Sequence, residues 1–337
     1  MTTAQSLLNK HLMEKEIMLS KMNNRKMPVL YRIRIIITTL AIMVFASSVT
    51  AASEPKVFAT GEEAVSAFVK ALKENNNEEL LTIFGPDANE LISSGDQVAD
   101  RQMREMFVKA YDQQNSIAPE GDKLILIVGK HAWPFPIPLV KQEGQWVFDT
   151  ASGKEEILNR RIGRNELNAI QVMLAIVDAQ REYAMKDRDG DGLLEYAQKF
   201  KSDPGKKNGL YWETKEGEEP SPLGLFAAKA KEEGYLEKKS SEKPQPYHGY
   251  FYRILTAQGT NAPGGAFDYI VNGKMIGGFA VVAHPAEYGN SGVMTFIVNH
   301  DGVVYQKDFG EDTEKETQKI KLFDPDKTWA KVKGIHD

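Results

Sequence analysis

Hydrophobic positions in the first part of this chain recur at the three- and four-residue spacing of amphipathic helices. This spacing predicts helices at residues 64–72, 80–84 and 98–111. Thr60 and Glu63 form a capping box before the first helix, and Gly85-Pro86 ends the second. The third helix is predicted to turn Met106 toward the interior.

A β pattern follows these helices. Residues 124–128 are a continuous apolar run that predicts a buried strand, and residues 137–141 and 145–149 flank a Glu143-Gly144 hairpin turn. Helices followed by antiparallel strands indicate an α+β domain. The element order resembles the cone-like fold of the nuclear-transport-factor-2-like (NTF2-like) superfamily, and this likeness implies no activity.

The helical spacing returns over residues 154–183, with Leu167 on the apolar side and Gly163 predicting a break or kink. Four strands are then predicted, at residues 250–256, 277–284, 293–299 and 303–307. We therefore expect an α+β fold class. Its parts are a signal peptide at 1–52, an α+β cone-like domain at 53–153, and a long helix with a small antiparallel sheet at 154–337.

The prediction of a signal peptide depends on the start of the chain. Residues 35–46 are apolar, and the positive residues before them are Arg25, Lys26, Arg32 and Arg34. Small residues permit cleavage after Ala51 or Ala52. We expect a periplasmic or secreted protein with no membrane span after cleavage; an uncleaved signal anchor is the alternative.

Composition removes several classes of function. The chain of 337 residues has no cysteine, which excludes disulfides, cysteine-ligated zinc and cysteine nucleophiles. A formal net charge of -5 gives no electrostatic footprint for nucleic acid, so we expect none as a partner. An envelope protein partner is the expected kind.

An acidic loop after the long helix carries the most specific motif. Asp187, Asp189 and Asp191 alternate as in a calcium loop, and Glu195 could supply a further oxygen ligand. The match to an EF-hand is incomplete, because Gln198 stands where that loop has a bidentate Glu. We predict calcium at these four residues; the alternative is an Asp/Gly turn held by side-chain-to-backbone hydrogen bonds.

Catalytic residues are not identified by any motif. Ser291 with His284 and Asp268 lacks the Gly-x-Ser-x-Gly elbow, and Glu287, His284 and His300 fit no standard zinc spacing. An enzyme is therefore the less favoured class.

Two further groups of residues stay open as candidates. For an enzyme with a pocket in the first domain, the candidates are Asp149, His131 and Glu90. Arg160, Arg161 and Arg164 could grip an anion, or could pair with Glu155, Glu156 and Glu166.

Long runs of this sequence resemble the exported bacterial family catalogued as domain of unknown function 2950. The runs are WPFPIPLV, GQWVFDTASGKEEILNRRIGRNELNAIQ, DAQREYA, PYHGYFYRILTAQG and AVVAHPAEYGNSGVMTFIVNHDGVVYQKDFG. The resemblance covers about residues 57–329. It implies an extracytoplasmic bacterial protein and supplies no catalytic residues.

The second half also resembles the head domain of type II secretion pseudopilins, through its helix, Asp-rich loop and closing strands. That resemblance implies a small pilin-like antiparallel sheet on a long helix, with calcium in a loop of some members. We expect a non-enzymatic envelope protein acting as a binding or assembly module. The alternatives are an enzyme with a cryptic pocket in the first domain and a periplasmic chaperone or partner-binding factor.

Overall fold

A computed structural model describes residues 54–235 and 244–333 of the chain, so the predicted signal peptide lies outside the described residues. The fold class is α+β, as predicted. The helices are α1 (Gly61–Lys73), α2 (Asn77–Phe84), α3 (Asn89–Ile92), α4 (Gln97–Gln113), α5 (Thr150–Tyr183), α6 (Gly224–Glu232) and α7 (Thr313–Lys319). In the part of the chain described, no helix is both long enough and apolar enough to cross a membrane.

The first antiparallel sheet packs with α1, α2 and α4 around one hydrophobic core. Its strands are β1 (Asn115–Glu120), β2 (Lys123–Val128), β3 (Trp133–Pro134), β4 (Leu139–Gln142) and β5 (Gln145–Phe148). The order is β1-β2-β4-β5, with β3 paired to β2. The Glu143-Gly144 turn has positive φ at both residues, which suits the tight hairpin of β4 and β5.

A second antiparallel sheet packs against the C-terminal part of α5. Its order is β14-β13-β12-β11-β6, with strands β6 (Tyr250–Leu255), β11 (Ala280–Pro285), β12 (Met294–Asn299), β13 (Tyr305–Asp308) and β14 (Ala330–Lys331). Four short strands lie outside this sheet: β7 (Ala257–Gln258), β8 (Phe267–Asp268), β9 (Ile270–Val271) and β10 (Lys274–Met275). The four strands predicted for this half are all present.

Helix α5 takes part in both cores. Ile157 packs against the first core, and Met173, Ile176 and Val177 are buried in the second. The domain boundary predicted after residue 153 falls in the first turns of this helix. The break predicted at Gly163 is wrong: the helix runs through it from Thr150 to Tyr183, because the ordinary cost of a helical glycine is small beside the packing on either side.

Two side chains predicted to face inward are exposed. Met106 on α4 is 55% exposed and Leu167 on α5 is 67% exposed. Periodicity defines an apolar side of a helix, but the neighbouring elements decide how much of that side is covered.

A buried carboxylate joins the start of α4 to two segments distant in sequence. Asp96 caps α4 by accepting from the backbone N–H groups of Val98 and Ala99, at 3.2 and 3.0 Å. Its other oxygen accepts from the Tyr235 hydroxyl at 2.9 Å and from the Gly249 N–H at 2.8 Å. Asp96 is 1% exposed, so no water competes freely for these bonds.

Two glycines in α5 are expected to respond oppositely to alanine. A Cβ at Gly163 would meet nothing within 4 Å, whereas one at Gly153 would lie 2.5 Å from the Pro136 carbonyl oxygen. We expect Gly163→Ala to raise the free energy of unfolding by about 0.5–1 kcal/mol through helix propensity. Gly153→Ala should lower it by about 1–3 kcal/mol, since backbone must shift. Urea denaturation measures both; equal effects would contradict the packing of α5 on the loop before β4.

Candidate functional site

A cavity of about 380 Å³ lies between α1, α2, α4, the first sheet and the start of α5. Its apolar wall includes Phe68, Phe84, Phe107, Trp133 and Phe135. These rings contact one another in edge-to-face, tilted or stacked arrangements, at centroid distances such as 5.1 Å between Phe68 and Phe135. The cavity reaches the surface, since Met103 in its lining is 37% exposed. A volume of this order and a mainly apolar wall are typical of small-molecule sites.

The charged residues of the cavity lie on α4 and α5. They are Asp100, Arg104, Arg160, Arg161 and Arg164. Burial lowers the pKa of the Arg161 guanidinium and of the Arg164 guanidinium, and it raises the pKa of the Asp100 carboxyl. These charged groups are therefore partly shielded from water, and they lie beside the apolar wall of the cavity.

The predicted pairing of the arginines with glutamates holds for one of them. Arg160 donates to Glu156 at 2.6 Å and lies 5.4 Å from the Trp133 ring centroid. Arg161 instead donates to backbone carbonyls and to the Asn290 side-chain oxygen, and Glu166 accepts from backbone N–H groups at the start of β12. The arginine cluster is therefore part of a cavity lining and only in part a solvated face.

None of the three acid–base candidates for an enzyme pocket lines this cavity. Asp149 caps α5 by accepting from the Ser152 N–H at 3.3 Å. Glu90 forms an ion pair with Lys154 at 2.8 Å, and His131 is exposed in the turn before β3. Asp149 and Glu90 thus have local structural partners.

The serine weighed as a nucleophile is fully buried in a turn. The Ser291 hydroxyl donates to the Glu287 carbonyl at 3.1 Å and accepts from the Glu287 N–H at 2.9 Å. The His284 ring is directed to the Pro285 carbonyl at 3.1 Å. Ser291 is thus engaged in closing the turn between β11 and β12 rather than poised beside a base.

The acidic loop, residues 187–195, brings together three of its four predicted ligands, the aspartates, and Glu195 is not part of this group. Carboxylate oxygens of Asp187, Asp189 and Asp191 lie within 4.8 Å of one another, the one such His/Asp/Glu group in the described chain. Asp187 accepts from the Gly190 and Gly192 N–H groups at 2.7 and 2.8 Å, which lowers the pKa of its carboxyl. The loop therefore has the Asp/Gly-turn bonding that was the alternative prediction.

A cation that the sequence did not predict pairs with two of these aspartates and with Glu195. The Lys274 ammonium, at the start of β10, pairs with Asp189, with Asp191 at 2.7 Å and with Glu195 at 3.4 Å. Hydrogen bonds to these carboxylates raise the pKa of Lys274 and lower that of Asp191. The hairpin turn Asn272-Gly273, with positive φ at both residues, was the available signal for its local structure.

Comparison with known proteins gives one assignment. No curated protein matches the chain, and no solved structure matches it. The sequence profile of one family covers residues 55–332, which include both sheets, the cavity and the acidic loop. The chain therefore belongs to the family described as "Protein of unknown function (DUF2950)".

Proposed function

We propose that this protein is an exported, non-enzymatic binding module that holds a small apolar or amphipathic molecule in the cavity of its first half. The observation that carries the proposal is the space of about 380 Å³ walled by phenylalanine and tryptophan rings. Apolar cavities of this size gain free energy by taking apolar ligand surface out of water. The second half, whose antiparallel sheet packs on α5, would provide the surface for an envelope partner.

Filling the cavity tests this function. Ala99 lines the cavity, and its backbone N–H rather than its side chain bonds to Asp96. We expect an apolar fluorescent probe, N-phenylnaphthylamine, to bind the wild type saturably. Ala99→Phe should weaken probe binding about tenfold or more, because the new ring occupies the same space.

The matched control is Ala228→Phe, which adds the same ring at an exposed position on α6. It should bind the probe as the wild type does. Thermal melts of all three proteins establish that they are folded. Equal probe affinity in the two variants would refute binding in this cavity.

As a second part of the proposal, calcium competes with Lys274 for the carboxylates of the acidic loop. The alternating aspartates that motivate it lie within 4.8 Å of one another. Without Lys274, Asp189, Asp191 and Glu195 would repel one another with no cation between them. A divalent ion with oxygen ligands would offset that repulsion.

We therefore expect Lys274→Met to lower the melting temperature in chelator and millimolar calcium to raise it again by about 3 °C. The wild type should respond less, since Lys274 must be displaced first. Lys321→Met removes an exposed lysine elsewhere and is the control. If Lys274→Met melts at the same temperature in calcium and in chelator, the proposal that calcium binds this loop is refuted.

A further inference from the structure

The charges that line the cavity are strongly unbalanced. Four arginines face one carboxylate, Asp100, so the lining is net positive by three charges. The arginines come from α4 and α5, whereas the rings of Phe68, Phe84 and Phe135 form the apolar wall. The cavity therefore has an apolar part and a cationic part.

Most of these charges are already satisfied within the protein. Arg104 donates to the Ile92 carbonyl at 2.6 Å, and Arg161 donates to the Glu90 and Leu91 carbonyls, both at 2.6 Å. Asp100 accepts from the Ser94 hydroxyl at 2.7 Å and from the Ser94 N–H at 3.0 Å. Arg160 has its ion pair with Glu156, described above.

Arg164 is different. Within residues 54–235 and 244–333 its guanidinium makes no hydrogen bond and no ion pair, although it is half-buried and lines the cavity. Burial lowers the pKa of this guanidinium, as it does for Arg161, so its charge is held partly out of water. A planar guanidinium offers paired N–H donors that match a carboxylate or a phosphate.

We propose that the cavity takes a single-chain amphiphile whose anionic head, a carboxylate or a phosphate, is bound by Arg164 while its chain lies against the phenylalanine wall. This inference rests on the proposed function. A volume of about 380 Å³ holds about a dozen water-sized groups, which suits one short acyl or alkyl chain and is too small for a two-chain lipid.

Competition against N-phenylnaphthylamine tests the inference with four ligands that share one chain length: decanoate, decyl phosphate, decanol and decyltrimethylammonium. At least one of the two anions should bind the wild type about tenfold more tightly than decanol does, as measured by displacement of the probe. Arg164→Gln should weaken the binding of that anion by about tenfold to a hundredfold and leave the affinity for decanol unchanged. Arg164→Lys keeps the charge but loses the paired N–H donors of the guanidinium. Its affinity for the anion should therefore lie between those of the wild type and Arg164→Gln.

The matched control is Arg101→Gln. Arg101 also lacks a hydrogen bond or ion pair in the described residues, but it lines a neighbouring polar recess and not the cavity. Its replacement should change no affinity. A larger loss from Arg101→Gln than from Arg164→Gln would overturn the assignment of the head group to Arg164.

The remaining outcomes separate the inference from the function beneath it. Preference for decyl phosphate assigns a phosphate head and preference for decanoate a carboxylate head, and either supports the inference. If decanol and the cation compete as well as the anions, the inference fails while an apolar binding function stands. If none of the four displaces the probe, the proposed function fails as well.

Discussion

Asp96→Ala is expected to lower the free energy of unfolding by about 3–7 kcal/mol. The change removes the cap of α4 and leaves the Tyr235 hydroxyl and the Gly249 N–H without their buried acceptor. Loss of a cap costs about 1 kcal/mol, and each buried donor left unpaired costs about 1–3 kcal/mol. Urea denaturation followed by circular dichroism measures the effect.

Two variants separate the cap from the interior bonds. Asn76 caps α2 from an exposed position, so Asn76→Ala should cost only about 1 kcal/mol. Asp96→Asn keeps one oxygen for the cap but replaces the other by a donor, so it should fall between the two. If Asp96→Ala costs no more than Asn76→Ala, the bonds to Tyr235 and Gly249 contribute nothing to stability.

Phe68→Ala is expected to lower the free energy of unfolding by about 3–5 kcal/mol, the usual cost of removing a buried phenyl ring. Phe68 is 4% exposed, and its ring centroid lies 5.1 Å from those of Phe84 and Phe135 and 5.6 Å from that of Phe148. Its loss removes the centre of this aromatic group and extends the existing cavity. The same denaturation experiment measures it.

The control for this change is Phe267→Ala, because Phe267 is 39% exposed on β8. Removing that ring should cost about 0.5 kcal/mol or less. Phe68→Leu keeps much of the apolar volume and should cost about 1–2 kcal/mol. Equal costs for Phe68→Ala and Phe267→Ala would show that the aromatic group is not a rigid core.

Local chemistry explains why the secondary structure was largely predictable. Thr60 accepts from the Glu63 N–H at 3.1 Å and Asn76 from the Glu79 N–H at 3.0 Å, both within three residues. The strand pattern of the second half follows from its continuous apolar runs. In contrast, strand β1 was missed, because its sequence NSIAPE has neither a clear alternation nor enrichment in β-branched residues.

The candidate site was predictable only in its local parts. The acidic loop has its aspartates within five residues, and Arg160, Arg161 and Arg164 are neighbours on one helix. The cation of the loop, Lys274, lies 79 residues beyond Glu195, and no spacing rule connects them. The aromatic wall of the cavity likewise comes from separate helices and strands, so only the folded chain brings it to the arginines.

The single helix α5 packs against both sheets, and this limits how the chain could be divided during evolution. With 34 residues it is about 51 Å long. If a shortened chain kept the first sheet but lost the rest of α5, apolar side chains would be exposed to water. The same would hold for a chain that kept only the second sheet. We expect relatives to carry both halves in this order. The family match is consistent with this, because it runs continuously over residues 55–332.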